Sequence, residues 1–216
     1  MYFNLFMSCL FATLGVYAQM SYNLDGILVR LTTIALGAWL SFTTRTLEER
    51  QTMLAAIAGL SGVSMGNLIS VALWIDPAIL ISAVAVTGAI FACFSYSALT
   101  SRRRSYFYLA GIISSAMSMF FVMSAVMWFF PSPSVDMNQA YLYLTTAATV
   151  GYICVDTQVI IERSEQSGGQ SDPVKDSFML FLDLIGLFKR ILILMLQMQA
   201  KREEDERRRR NNDRRR

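Results

Sequence analysis

Stretches of about twenty apolar residues follow one another along nearly the whole chain, at about 1–20, 26–43, 52–75, 77–100, 105–130, 139–161 and 177–199. Each is long enough to cross the roughly 30 Å of a bilayer's hydrocarbon as a helix rising about 1.5 Å per residue. A transmembrane barrel would instead need apolar and polar residues alternating over strands of about ten positions, and that period is absent. The fold class that follows is all-α and integral to the membrane. With 54% apolar and only 16% charged residues, no long stretch is left over for a second, soluble domain. Residues 1–199 read as one polytopic bundle, and 200–216 as a basic, disordered extension.

Six of these segments are plain spans. The seventh carries Asp183, Lys189 and Arg190, charges that a lipid-facing helix would resist by a few kcal/mol each. It is therefore expected at the centre of a seven-helix bundle, shielded by the other six. Orientation comes from the connections. "TRTLEERQT" and "SRRRS" carry Arg45, Arg50, Arg102, Arg103 and Arg104, whereas "SYNLDG" and "PSPSVDMNQ" carry no basic residue, so the first two loops are expected on the cytoplasmic side. The connection 162–176 joins them there as a solvated loop. The tail "KREEDERRRRNNDRRR" has nine basic and five acidic residues and is also expected to be cytosolic. Both expectations hold together only if the seventh segment is re-entrant. Anionic lipid is the expected partner of the tail, and nucleic acid is not, because no aromatic side chain interleaves the arginines for base stacking.

Several function classes drop out on composition. The chain has no histidine, so Ser-His, Cys-His and His-ligated metal chemistry is excluded. Cys9, Cys93 and Cys154 stand singly in apolar segments and read as buried structural thiols. The first twenty residues lack a basic n-region and a small-residue cleavage signature, so they read as a span and not as a signal peptide. In the third segment Ala55, Gly59, Gly62 and Gly66 share one side, where small residues let two helix backbones approach closely. Asp76 before Pro77 marks a tight turn and a helix start. The methionines and aromatics of the fifth segment, Met117 to Phe129, show no cofactor signature, and Trp39, Trp74 and Trp128 lie near segment ends as in a headgroup belt.

The feature that calls for chemistry is a carboxylate inside "GYICVDTQVII", Asp156, and another inside "SFMLFLDLIGLF", Asp183. Counted from segment ends near Glu162 and Asp176, the two lie about 9 and 10 Å deep on antiparallel helices. Polar groups that avoid lipid face the bundle interior, so the two are expected to meet. Two carboxylates in contact cannot both ionise cheaply and share a proton. Protonated, the pair ties the seventh helix to the sixth; ionised, it repels or recruits a cation with hard oxygen ligands, calcium being the natural candidate. The bland reading of the same residues is a structural ion pair, with Lys189 or Arg190 neutralising Asp183.

"CFSYSALTSRRRSYFYLAGIISSAMS", "VDTQVIIE" and "FLDLIGLFKR" resemble, in order and spacing, the Bax inhibitor family of transmembrane Bax inhibitor motif proteins, in its eukaryotic endoplasmic reticulum branch. The likeness runs from about residue 1 to 199. It implies a seven-helix fold with a central last helix, calcium leak from the reticulum, pH dependence, suppression of cell death, and cell-death regulatory membrane proteins as partners. The family's paired acids match Asp156 and Asp183. Its latching arginine at the cytoplasmic end of the second helix has Arg45 as the nearest counterpart. Family members carry a polar stretch before the first helix, whereas this chain opens almost directly in apolar sequence, which points to a shortened start. The tail is richer in arginine than the family's lysine-rich tails. Three functions compete: a pH-gated calcium leak, channel or exchanger; a non-conducting scaffold for cell-death regulators; and an intramembrane aspartyl protease. The last lacks its GxGD signature, since Asp183 follows "FL", and lacks the later proline. The expected protein is not an enzyme and has no cofactor other than calcium as its ion.

Overall fold

The computed structural model describes residues 2–22, 26–42, 46–100, 135–166 and 172–213. Of the fifth apolar segment it describes only residues 111, 112, 114, 115, 118, 119 and 122, all helical. Six long helices are described: α1 (Tyr2–Tyr22), α2 (Ile27–Phe42), α3 (Leu47–Ile75), α4 (Pro77–Thr100), α5 (Val135–Gln166) and α6 (Pro173–Asp213). Among the described residues there is no strand, and the chain is an all-helical, multi-pass membrane protein. The fifth segment, Trp128 and Arg102–Arg104 lie largely or wholly outside the described residues, so the count of seven rests on the sequence alone. Four helices, α1, α3, α4 and α5, are long and apolar enough to cross a bilayer by themselves. Helix α2 is apolar but has only 16 residues, and α6 carries the charges.

Helix ends follow local chemistry. Helix α3 begins at Leu47, ahead of its apolar run, because Glu48 and Glu49 in the first turn suit the positive end of the helix dipole. Its carboxyl end closes when the Asp76 N–H bonds the Ala72 carbonyl at 2.9 Å. The Asp76 carboxylate then accepts the Ala78 N–H at 2.8 Å and caps α4, with Pro77 in the first helical position where no N–H is needed. Asp172 does the same for α6, accepting the N–H groups of Val174 and Lys175 at 3.2 and 3.3 Å ahead of the next proline-started helix. The loop expected over 162–176 is accordingly shorter. Helix α5 runs to Gln166 and α6 starts at Pro173.

Helix α6 is the centre of the described bundle. Its Leu187, Ile191 and Leu192 pack with Ile69 and Ala72 of α3, Ala83 of α4 and Ile153 of α5. Its Leu180 and Phe181 pack with Leu5 and Ala12 of α1, Ala58 of α3 and Ile160 of α5. Val174 and Phe178 pack with Leu40 of α2 and with Leu54 and Ile57 of α3. Each of α1 to α5 thus shares one of these three clusters with α6. Lipid tails are as apolar as leucine, so the gain here is close van der Waals fit and not removal of surface from water. The wrapping also solves the problem posed by the charges of α6, which would be costly against lipid.

The glycine face of α3 packs within the chain, against α1, which runs parallel to it. A Cβ added at Gly62 would overlap the Ala12 carbonyl, one at Gly15 the Gly59 carbonyl, and one at Gly66 the Gln19 side chain. Gly59 itself has room, its nearest neighbour being the Phe11 carbonyl 3.8 Å from where a Cβ would stand. One rung further on, the Gln19 amide donates to Asn67 Oδ1 at 3.0 Å and ties the two helices by a polar contact.

Two expectations about α6 are corrected. It is a single unbroken helix of 41 residues, about 60 Å long, with no reversal of the chain, so it is not a re-entrant segment. Its start lies beside α3's start, through an ion pair between Arg50 and Asp172, and its far end therefore leaves from the opposite end of the bundle. The tail and the α2–α3 connection thus lie at opposite ends of this one continuous helix. The tail also departs from the disordered extension that its composition suggests. Residues 201–213 are helical and exposed, supported by i,i+4 pairs of Glu204 with Arg208 at 2.7 Å and of Glu206 with Arg210 at 3.5 Å.

Candidate functional site: an acid pair in the seam of α5 and α6

Asp156 lies ten residues before the end of α5, and Asp183 lies ten residues after the start of α6. Because the helices run antiparallel and are joined at that end, both acids sit about 15 Å along from it. There the Asp156 and Asp183 carboxyls lie near enough to interact directly. An ionised carboxylate only accepts, so a bond between two of them requires a proton on one. Asp183 Oδ2 is enclosed, and no N–H or O–H of another described residue reaches it. An enclosed oxygen left without a donor is costly.

The cations are arranged along the same seam. Seven residues is two helical turns, so Arg163 shares a face of α5 with Asp156, and Arg190 shares a face of α6 with Asp183. Because the helices are antiparallel, the two arginines lie on opposite sides of the acid pair, each about 10 Å away along the axis. The Arg163 guanidinium acts electrostatically on Asp156 and places Nη1 3.5 Å from the Met179 sulfur on α6. Arg190 Nη1 donates to the Thr145 carbonyl of α5 at 3.0 Å. The expected counter-charges thus behave differently from the sequence reading. Arg190 is spent on a backbone carbonyl of α5, and Lys189 is exposed. Among the described residues neither forms an ion pair with Asp183. Arg45, the candidate latch partner, lies outside the described residues.

The wall opposite is α4. The Cys154 thiol contacts the Phe94 carbonyl at 3.9 Å, and the Gln158 amide donates to the Ala98 carbonyl, two rungs that bracket the level of Asp156. Ser95, between those rungs on α4, is buried with a hydroxyl that has no hydrogen-bond partner among the described residues. Sequence reasoning missed Arg163, Gln158 and Ser95. Arg163 was legible as an i+7 partner of Asp156, but "ERSEQS" reads as loop. Gln158 has the spacing of an ordinary core residue, and nothing in the sequence marks Ser95 among many serines.

As a metal centre the site is thin. Among the described residues no group of three or more acids, cysteines or histidines could hold an ion. Two carboxylates offer at most four oxygens, whereas calcium takes six to eight. Such a donor set suits an ion that keeps part of its water while passing, not one that resides.

The comparisons point one way. Residues 1–200 match the family model described as "Inhibitor of apoptosis-promoting Bax1". The chain is 38% identical over 200 residues to Bax inhibitor 1 of Arabidopsis thaliana, covering 92% of this chain and 80% of that protein. It is 37% identical over 196 residues to Bax inhibitor 1 of Mus musculus, covering 88% and 81%. The human protein of the same name is 36% identical over 196 residues, with the same coverage.

Proposed function

The chain belongs to the Bax inhibitor family, and we propose that it is a pH-sensitive calcium leak channel of the endoplasmic reticulum membrane that suppresses cell death, with the Asp156–Asp183 pair as its latch. The observation that carries this reading is the contact between two acids at equal depth on consecutive helices, one of them the central helix of the bundle. While they share a proton they fasten α6 to α5. A passing calcium ion competes for the same oxygens, so proton and metal occupancy are linked. Protons and calcium are then the small partners. Cell-death regulatory membrane proteins are the macromolecular ones, as the relatives' name suggests, and anionic lipid is the partner of the basic tail.

The test is calcium efflux from loaded liposomes between pH 5 and 8, with Asp156→Asn and Asp183→Asn singly and together. Wild-type efflux that varies with pH, and loses that variation in each single variant, is the expected result. The direction of the variation identifies what holds the latch. A latch held by the shared proton gives efflux that rises with pH. One held by the Arg163 charge on an ionised pair gives efflux that rises as pH falls. Absent wild-type efflux sinks the channel reading and leaves a non-conducting scaffold. Flux linear in the calcium gradient marks a channel, and saturable counter-transport marks an exchanger.

A further inference from the structure

The mechanism above leaves a largely buried charge unexplained beside the start of α6. Arg50, in the first turn of α3, keeps only 11% of its side chain exposed and pairs through Nη1 with Asp172 Oδ2. The other oxygen of Asp172 accepts the Val174 and Lys175 N–H groups, and its carbonyl accepts the Asp176 N–H at 3.1 Å. One carboxylate therefore performs two tasks. It caps the first turn of α6, and it joins that turn to α3. Immediately below, Val174 and Phe178 lock against Leu40, Leu54 and Ile57, and the Phe178 ring comes within 3.3 Å of where a Cβ on Gly37 of α2 would stand.

We propose that Arg50 is a positioning residue for the acid pair: by holding Asp172 it fixes the depth and rotation of α6, and so keeps Asp183 facing Asp156. The inference rests on the leak reading of the same site. Asp183 lies eleven residues beyond Asp172, about 16 Å along one rigid helix. A slip of a single residue moves Asp183 by about 1.5 Å and turns it by about 100°, enough to carry its carboxyl off the α5 seam. A clamp at the start of the helix is thus felt at the pair. The cost of releasing it is concentrated in Arg50, whose Nε is already buried without a partner and whose charge has no other described acid paired with it. Release of the clamp consequently opens the latch, and the pair in contact is the closed state.

Three variants test this in the full chain, reconstituted in phosphatidylcholine liposomes loaded with calcium and in parallel by amide hydrogen exchange over residues 174–178. Arg50→Gln removes the charge. Asp172→Asn removes the opposite charge but keeps a capping side chain, so the helix start survives. Arg50→Lys keeps the charge. The expected result is efflux raised about three- to tenfold, with about tenfold faster exchange, in Arg50→Gln and Asp172→Asn at wild-type folded yield, and both readouts close to wild type in Arg50→Lys. A residue needed only for folding would lower yield and efflux together, so the rise is the discriminating sign. Efflux unchanged or lowered in the two charge-removing variants at wild-type yield overturns the proposal. If wild-type protein passes no calcium, the leak reading fails, while unaltered exchange in Asp172→Asn overturns the clamp on its own.

Discussion

Arg163 Nη1 lies 3.5 Å from the Met179 sulfur, one turn before Asp183, so the guanidinium that acts on Asp156 along its own helix also touches the helix carrying the partner acid. A positive charge near an acid favours its ionised form. At about 10 Å and in contact with water the effect is modest. Arg163→Gln is expected to move the midpoint of the efflux–pH profile toward higher pH by up to about half a unit, and Arg163→Lys to leave it in place. Liposome efflux measured at closely spaced pH values checks both. A midpoint that ignores Gln at 163 removes this arginine from the site.

Arg190 gives the opposite expectation. Its bond goes to the Thr145 carbonyl, which also accepts the Thr149 hydroxyl at 2.9 Å, so it holds backbone and not the acid pair. Replacing it by Ala removes a charge-assisted bond, a loss of about 1.5–3 kcal/mol. The effect should appear as a lower melting temperature in detergent with an unshifted pH profile. Combined with Asp183→Asn, the two losses should add to within about 0.5 kcal/mol. A larger coupling would restore the ion pair that the sequence alone suggests.

The acid pair was legible because two independent signals agreed. Each aspartate interrupts an apolar run, and their distances from the helix ends match whether or not those ends are placed correctly. The ends were in fact misplaced: α5 runs to Gln166 and α6 begins at Pro173, yet equal depth survived, since an antiparallel pair shifts both counts together. The central place of the last helix was legible for a related reason, its charges being incompatible with lipid. What stayed hidden depends on helix rotation and on ends. Arg190 was assigned to Asp183 by spacing, but it stands about 10 Å further along the same face and bonds Thr145 instead. Arg50 was visible only as a loop charge, and its pairing with Asp172 depends on which turn of α3 comes first. The tail's helicity was masked by composition, because the i,i+4 spacing of Glu204 with Arg208 and of Glu206 with Arg210 outweighs a net charge that argues for disorder.

The α1–α3 contact yields a contrast within one stripe of small residues. Gly62→Ala and Gly15→Ala each push a methyl group into a backbone carbonyl that cannot yield without parting the helices. Overpacking of this kind costs about 1–3 kcal/mol. Gly59→Ala meets only an ordinary contact at 3.8 Å and should be neutral or slightly stabilising, since alanine is the better helix former. Thermal unfolding in detergent, followed by thiol reactivity or fluorescence, ranks the three. Equal melting temperatures for Gly59→Ala and Gly62→Ala would mean that α1 does not pack where the structure has it.

The tail offers a prediction separable from the bundle. Residues 201–213 are exposed, and the sequence sets an acidic block, Glu203 to Glu206, before a basic one, Arg207 to Arg210. Each basic residue near an anionic surface contributes about 1 kcal/mol, and the effect fades with salt. The four arginines, one turn beyond the acidic block, can lie on such a surface while the acidic turn is held off it. Replacing Arg207, Arg208, Arg209 and Arg210 by Gln in the full chain should leave the melting temperature in detergent unchanged, because nothing in the bundle rests on them. The same variant, held in neutral nanodiscs, should lose at least tenfold in binding to phosphatidylserine vesicles at about 0.1 M salt. Binding that survives the substitution, or that wild-type protein shows equally for phosphatidylcholine vesicles, would remove anionic lipid as the partner of this helix.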